Sequence, residues 1–269
     1  MNRQGELLFL GTGASTGIPM IGCHCSVCRS SSPRNKRLRP SVLLTVGGKK
    51  ILVDAGPDVR QQALHYKIES IDGLFLTHAH YDHIGGLDEL RAYYFVRNEE
   101  PLPCFLSPET YAEISRRCPY LVTPHQPEKS FPAQFKFQIS DKSFGPISFA
   151  GLLFHLVSYV QVGMDVLGFR IGNLAYLSDL KEFDPRVIED VKGVDTLIIS
   201  ALRPESSRSH LTFEEAVAFS RATGAKKTWL THLSHDVDHE EESRALPPNV
   251  ALAYDGLSLP FVVADSDLI

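Results

Sequence analysis

Residues 77–83 read Thr-His-Ala-His-Tyr-Asp-His and follow directly on the apolar run Gly73-Leu74-Phe75-Leu76. Four side chains able to ligate a metal, His78, His80, Asp82 and His83, thus fall within six residues at the end of a predicted buried strand. A strand end is a rigid base from which such side chains project together. Imidazole nitrogens mixed with carboxylate oxygens suit Zn2+, Mn2+ or Fe2+. The fold must therefore contain a sheet with a metal-binding edge.

The remaining pattern supplies strands and helices in alternation. The run Leu7–Leu10 ends at Gly11-Thr12-Gly13, and Ser41–Val46 and Lys50–Val53 flank Gly47-Gly48, a hairpin signal. Ile147–Leu156, Gly168–Ile171, Leu174–Leu177, Asp195–Ser200 and Lys227–Leu230 read as further strands. Helices are predicted at Asp58–Tyr66, 85–97, Pro108–Cys118, Pro185–Asp190 and Thr212–Thr223. Thr123–Lys142, with several prolines and polar residues, reads as a surface loop. The expectation is an α/β sandwich in one domain spanning residues 1–269.

Composition narrows the partners. The 269 residues are 43% hydrophobic and 22% charged, with a formal net charge of -5. That balance disfavours binding a nucleic-acid polymer through bulk charge. No apolar run is long enough to cross a bilayer, and residues 1–10 have no signal-peptide pattern, so a cytoplasmic protein is expected. Five cysteines in a chain of this size fit reduced thiols better than disulfide staples. Cys104 and Cys118 read as ordinary buried thiols, and His65, His125 and His239 as surface or core histidines. Glu240-Glu241-Glu242 reads as a solvated face.

The run from His78 to His83, followed by Ile84-Gly85-Gly86-Leu87, resembles the His-x-His-x-Asp-His signature of the metallo-β-lactamase superfamily. Val53-Asp54-Ala55-Gly56, Ala175-Tyr176-Leu177-Ser178-Asp179 and Leu230-Thr231-His232 resemble its other site-bearing strand ends. The resemblance covers nearly the whole chain and implies a four-layer αββα sandwich. It implies one metal on His78 and His80, a second on Asp82, His83 and His232, and Asp179 bridging them. Asp54 would orient a histidine from behind the ligands. Spacing back from Leu167-Gly168-Phe169 puts Gln161 where the superfamily usually supplies a further histidine. The choices are a weakened first site, a shifted ligand at His155, or a single metal.

Cys23-x-Cys25-x-x-Cys28 offers three thiolates, and His235 in Leu230-Thr231-His232-Leu233-Ser234-His235 offers a fourth ligand. Structural zinc takes four closed ligands, commonly three cysteines and a histidine. This combination, with Gly11-Thr12-Gly13 and Tyr254-Asp255-Gly256, resembles the PhnP-like phosphodiesterases of that superfamily. It implies one structural zinc, up to two Zn2+ or Mn2+ in the active site, and Asp255 in a supporting role. His24 should face solvent.

The implied activity is hydrolysis of a small phosphodiester, cyclic or derived from a nucleotide or ribose, by a hydroxide held between two metals. His210, in a loop before the helix at Thr212, matches the place of the subfamily's catalytic histidine and would serve as general acid. Arg203 and Arg208 in the same loop would either meet phosphate or remain solvated. The alternatives are a tRNA 3′-end endonuclease or PqqB-like relative, or a weakly active metal-binding scaffold, which Gln161 would motivate. The sequence leaves a homodimer open.

Overall fold

The structure, a computed structural model, describes residues 2–123 and 132–268. Two seven-stranded sheets are present among them. The first contains β1 (Asn2–Gly11), β2 (Ser41–Val46), β3 (Lys49–Val53), β4 (Gly73–Phe75), β5 (Leu102–Leu106) and β6 (Phe135–Ile139) in that order. The second runs backwards in space from β7 (Gly145–Phe149) and β8 (Leu152–Gln161) through β9 (Met164–Ile171), β10 (Leu174–Leu177), β11 (Thr196–Ser200) and β12 (Lys227–Thr231) to β13 (Val250–Leu252). The last strand, β14 (Ser258–Ala264), returns to the first sheet beside β1. Pairs β3/β4, β4/β5 and β5/β6 are parallel, as are β10/β11, β11/β12 and β12/β13.

The period-two alternation of these strands builds the layers. In β2, Val42 and Leu44 face one apolar cluster while Leu43 faces another. In β10, Leu174 and Tyr176 point to the shared centre and Ala175 and Leu177 to the outside. The central cluster lies between the sheets and includes Phe75, Phe105, Phe154, Phe169 and Tyr176. Phe169 sits 5.0 Å from Phe75 and 5.3 Å from Phe154 between ring centroids. Val59 of α2 (Val59–His65; α1 is Ser26–Arg29), Ile84 of α3 (Tyr81–Ile84) and Ile114 of α5 (Pro108–Arg117; α4 is Arg91–Val96) cover the outer face of the first sheet. Val187 of α6 (Pro185–Asp190) and Ala216 and Phe219 of α7 (Phe213–Thr223) cover the second. This is the four-layer αββα sandwich.

Three expectations need correction. Ile147–Leu156 is two strands, because Ala150 and Gly151 both take positive φ (50° and 83°) and close a tight hairpin. Residues 85–97 form α4 only from Arg91 on, after a 3-10 turn at Leu87–Leu90, and the helical turn α3 begins earlier, at Tyr81. A Cβ on Gly86 would stand 2.2 Å from the Gly56 carbonyl oxygen, and one on Gly56 2.0 Å from that of Asp82. The chain is squeezed there, and the turn carrying Asp82 and His83 is pressed onto the end of β3. Within the expected loop Thr123–Lys142, β6 pairs with β5 as an edge strand. Residues 124–131 of that loop, His125 among them, lie outside the described residues.

Among the described residues no helix is long and apolar enough to cross a membrane. The last helix, α8 (His239–Ser243), carries the Glu240–Glu242 run in its first turn, where the dipole favours acidic groups.

Candidate metal centres

The ends of β3, β4, β8, β10 and β12 meet along one edge of the sandwich. Asp54, Asp179 and His232 each follow a strand end with φ near +60° (62°, 56° and 61°). Left-handed backbone costs a non-glycine residue about 1–2 kcal/mol. Three such residues at one edge is the strain pattern of a functional site. The backbone turns away while the side chains stay pointed at one another.

Asp54 organises the cluster from beneath. Its Oδ1 accepts from Thr77 N at 2.8 Å, and its Oδ2 accepts from Thr77 Oγ1 at 2.8 Å and from His83 Nδ1 at 2.7 Å. With its proton committed to Asp54, Thr77 Oγ1 can only accept from His78 Nδ1, 2.9 Å away. Both imidazoles are thereby set with Nε2 free to ligate, the arrangement that orients metal-binding histidines.

His83 Nε2 is buried without a hydrogen-bond partner among the described residues. It lies 3.5 Å from Asp82 Oδ2 and 3.4 Å from Asp179 Oδ1. His232 Nε2 lies 3.3 Å from Asp82 Oδ2 and 3.3 Å from Asp179 Oδ2. Ligands about 2.0–2.1 Å from a tetrahedral metal stand roughly 3.3–3.4 Å apart. These four residues therefore already hold the spacing of a coordination shell. Beside them, His78 Nε2 lies 2.9 Å from His80 Nδ1 and 3.9 Å from Asp179 Oδ2, so Asp179 faces both groups. Ser178 Oγ fixes it with a 2.7 Å bond to Oδ1.

The electrostatics ask for a cation. Burial would raise the Asp179 carboxyl, but His232 and His83 outweigh it and hold it well below the ordinary carboxylate range. Burial likewise opposes Asp82, and the same histidines pull it down. Burial would strip the His83 proton, yet Asp179, Asp54 and Asp82 raise its pKa well above 6.5. A protonated His83 would offset part of the carboxylates' charge in the free chain, and metal binding would displace that proton.

Gln161 and His210 complete the mouth. Gln161 is 3% exposed and its Nε2 donates to Asp179 Oδ2 at 3.1 Å. His210 is 8% exposed, with Nδ1 3.8 Å from Asp179 Oδ2 and its ring 4.5 Å from that of His232. Burial, then His232, lowers the His210 pKa to about 4. His155 is not at the site: it projects from β8 beside Asp190, with Nε2 3.5 Å from a carboxylate oxygen. Asp255 does not support a ligand directly. It accepts from Thr12 N at 2.9 Å, Thr12 Oγ1 at 2.7 Å and Leu38 N at 2.7 Å, and Thr12 O in turn accepts from Leu233 N, next to His232. Arg203 is paired with Asp236 at 2.9 Å, and Arg208 is exposed. Sequence reasoning gave no role to Thr77, Ser178 or Arg37. Hydroxyl residues adjoining His78 and Asp179 were the available signal for the first two. Fully buried Arg37 donates to Thr12 Oγ1 and Ala253 O at 2.6 Å, and its Nη2 lies 2.9 Å from His239 Nδ1, which no local pattern announces.

A second cluster lies three residues beyond His232. His235 Nδ1 stands 3.5 Å from Cys23 Sγ and 3.6 Å from Cys25 Sγ, and Cys28 completes the group. With zinc–sulfur at about 2.3 Å and zinc–nitrogen at about 2.0–2.1 Å, tetrahedral geometry separates such atoms by roughly 3.5–3.6 Å. Met20 N donates to Cys28 Sγ at 3.3 Å and Cys28 N to Cys25 Sγ at 3.4 Å, which favours thiolates. The His235 contact, then the Cys28 amide, lowers the Cys25 pKa to about 6, whereas burial raises Cys28 to about 11. His24 is exposed, as expected. Both clusters fit divalent cations by donor chemistry and spacing.

Comparison with known proteins agrees. A family model for the beta-lactamase superfamily domain matches residues 49–233. The chain is 36% identical over 260 residues to an octanoyltransferase of Porphyromonas gingivalis, covering 93% of this chain and 50% of that protein. It therefore spans only half the length of that relative. A ribonuclease Z of Methanopyrus kandleri is 24% identical over 302 residues, covering 96% of this chain and 98% of that protein. A crystal structure of a diphosphatase from the PhnP family matches with a TM-score of 0.89 and 35% identity, covering 98% of this chain and 100% of that one. From the edge cluster, the cysteine cluster and these matches together, the chain belongs to the metallo-β-lactamase superfamily and is PhnP-like.

Proposed function

We propose that the chain is a metal-dependent phosphodiesterase acting on a small phosphodiester. The observation that carries this reading is the buried set Asp82, His83, Asp179 and His232, in which each imidazole Nε2 stands 3.3–3.5 Å from both carboxylates. His78 and His80 would hold one cation, Asp82, His83 and His232 the other, with Asp179 between them. Bound cations would supply Lewis acidity, acidifying a water and neutralising phosphoryl oxygens. Asp54 and Thr77 keep the two imidazoles aimed at the mouth. Burial and the neighbouring His232 favour the neutral form of His210 in the free chain. A phosphoryl group brings negative charge beside it, raises its pKa and lets it carry a proton to the leaving alkoxide. Cys23, Cys25, Cys28 and His235 would hold a structural zinc that pins the N-terminal loop to the end of β12. We read the whole chain as one catalytic domain.

A second reading follows from the PhnP-family diphosphatase: a substrate with a diphosphate linkage. The same cluster serves it, but phosphate is a better leaving group than an alkoxide and needs less help from His210. We assign the octanoyltransferase name to the half of that relative which this chain does not match. The acidic balance of the chain argues against the ribonuclease reading. The test is hydrolysis of bis(p-nitrophenyl) phosphate and of a dinucleoside diphosphate, with and without added Mn2+. Metal-dependent turnover of the diester supports the first reading. Turnover of the diphosphate alone favours the second, and turnover of neither contradicts both.

A further inference from the structure

Gln161 stands where the resemblance to the superfamily implies a further histidine, and its amide has two unlike ends. Nε2 donates to Asp179 Oδ2 at 3.1 Å. The same nitrogen lies 3.3 Å and 3.2 Å from the two ring nitrogens of His210. Such nearly equal distances leave it in line with neither ring-nitrogen lone pair. In the free chain, turning the amide over would set its oxygen against a carboxylate oxygen, which favours this orientation. Oε1 is then left buried with no hydrogen-bond partner among the described residues. An orphaned buried acceptor costs about 1–3 kcal/mol. The backbone holds this arrangement: Gln161 pairs with Met164 across a hairpin tip in which Val162 and Gly163 are both left-handed (φ 49° and 78°). Val162 is β-branched and 66% exposed, and the two-residue hairpin loop imposes left-handed backbone on both of its residues.

We propose that Gln161 Oε1 is a ligand of the first cluster, which makes that position a site of two imidazoles and two oxygens with a weakened preference for Zn2+ over Mn2+. This rests on the metal-dependent reading above. Nε2 binds Asp179 Oδ2, the oxygen that also faces His78 Nε2 at 3.9 Å, and Oε1 shares a carbon with Nε2. Gln161 and the first cluster thus meet on the same Asp179 oxygen. Exchanging imidazole nitrogen for a neutral amide oxygen removes a donor that zinc favours and supplies one that manganese accepts. The predicted consequence is a readily exchanged first cation beside a firmly held second one.

The test is equilibrium dialysis of the full chain against buffered free Zn2+ and, separately, free Mn2+, with metals per chain counted by elemental analysis. Gln161→His is expected to fill its last Zn2+ position at a free concentration about tenfold or more below wild type, with the Mn2+ position moved by less than about threefold. Gln161→Leu is expected to lose that last step for both metals while keeping the cysteine-site zinc, which reports that the variant is folded. Gln161→Glu, which keeps an oxygen donor, should retain the Mn2+ step and serves if the leucine variant does not fold. Filling of Gln161→Leu like wild type, or equal tightening of Zn2+ and Mn2+ in Gln161→His, would overturn the assignment while leaving two active-site cations standing. If wild type and Gln161→His both stop at one metal per chain, the broader reading falls with it.

Discussion

Two clusters hang from the same short segment after β12, and they are built by opposite means. The edge cluster reaches His232 from β12, but its other members come from β4, the turn after it, and β10, and three of them, His78, His83 and Asp179, are braced from behind. Asp54 holds Thr77 and His83, Thr77 holds His78, and Ser178 holds Asp179. The cysteine cluster draws three ligands from six residues of one loop and braces them with amide-to-sulfur bonds. The first spends backbone strain at Asp54, Asp179 and His232 to keep its ligands at the mouth. The second offers four donors, a full tetrahedral set that would leave no position for a substrate. Chemistry needs an open, over-determined shell, whereas a clip needs only affinity.

The contrast can be broken by substitution. Asp82→Ala should produce the largest effect: loss of diesterase turnover by about 10³-fold or more, with the cysteine-site zinc retained. Steady-state assay with metal analysis checks this, and retained turnover would refute the two-cation reading. His210→Ala should cut turnover of an alkoxide-leaving diester by about 10²-fold while sparing metal content. The loss should shrink with p-nitrophenolate as leaving group, and equal losses for both would remove His210 as the acid.

Cys25→Ser should act mainly on stability. A loss on the order of 2–3 kcal/mol would lower Tm by about 5–10 °C, with kcat little changed once metal is supplied. A collapse of kcat at full stability would mean that the clip has a catalytic part. The smallest effect concerns the network between the clusters. Burial, then Arg37 and Arg34, lower the His239 pKa to about 4 from 6.5. The unfolded chain therefore takes up this proton first as pH falls, so wild type loses stability between about pH 6.5 and 4. His239→Gln should flatten that part of a denaturation-versus-pH curve, and an unchanged slope would show that His239 titrates normally.

Much of the site was legible because metal ligands cluster in sequence when a strand end presents them. His78 to His83 and Cys23 to Cys28 are local runs, and His232 and His235 share one segment. Asp179 was legible only through resemblance, since a lone aspartate after a strand has no signature of its own. The hairpin at Ala150-Gly151 was not, because alanine is not a usual residue for left-handed backbone. The early start of α3 depends on Gly56 meeting Asp82, a contact between distant parts of the chain. Arg37, Thr12, Asp255 and His239 likewise meet only after folding, so the sequence did not show that Asp255 reaches the site through Thr12 and Leu233. His155 and Gln161 lie six residues apart on β8, and strand direction, which composition does not reveal, puts only Gln161 at the edge.

The central claim is that one chain carries two independent metal centres, one open and one closed. Metals per chain, counted by elemental analysis after loading and desalting in wild type, Cys25→Ser and Asp82→Ala, test it most directly. The account predicts about three in wild type, loss of the thiolate-bound zinc alone in Cys25→Ser, and loss from the edge cluster alone in Asp82→Ala. A single metal in wild type, removed by Cys25→Ser and indifferent to Asp82→Ala, would contradict it.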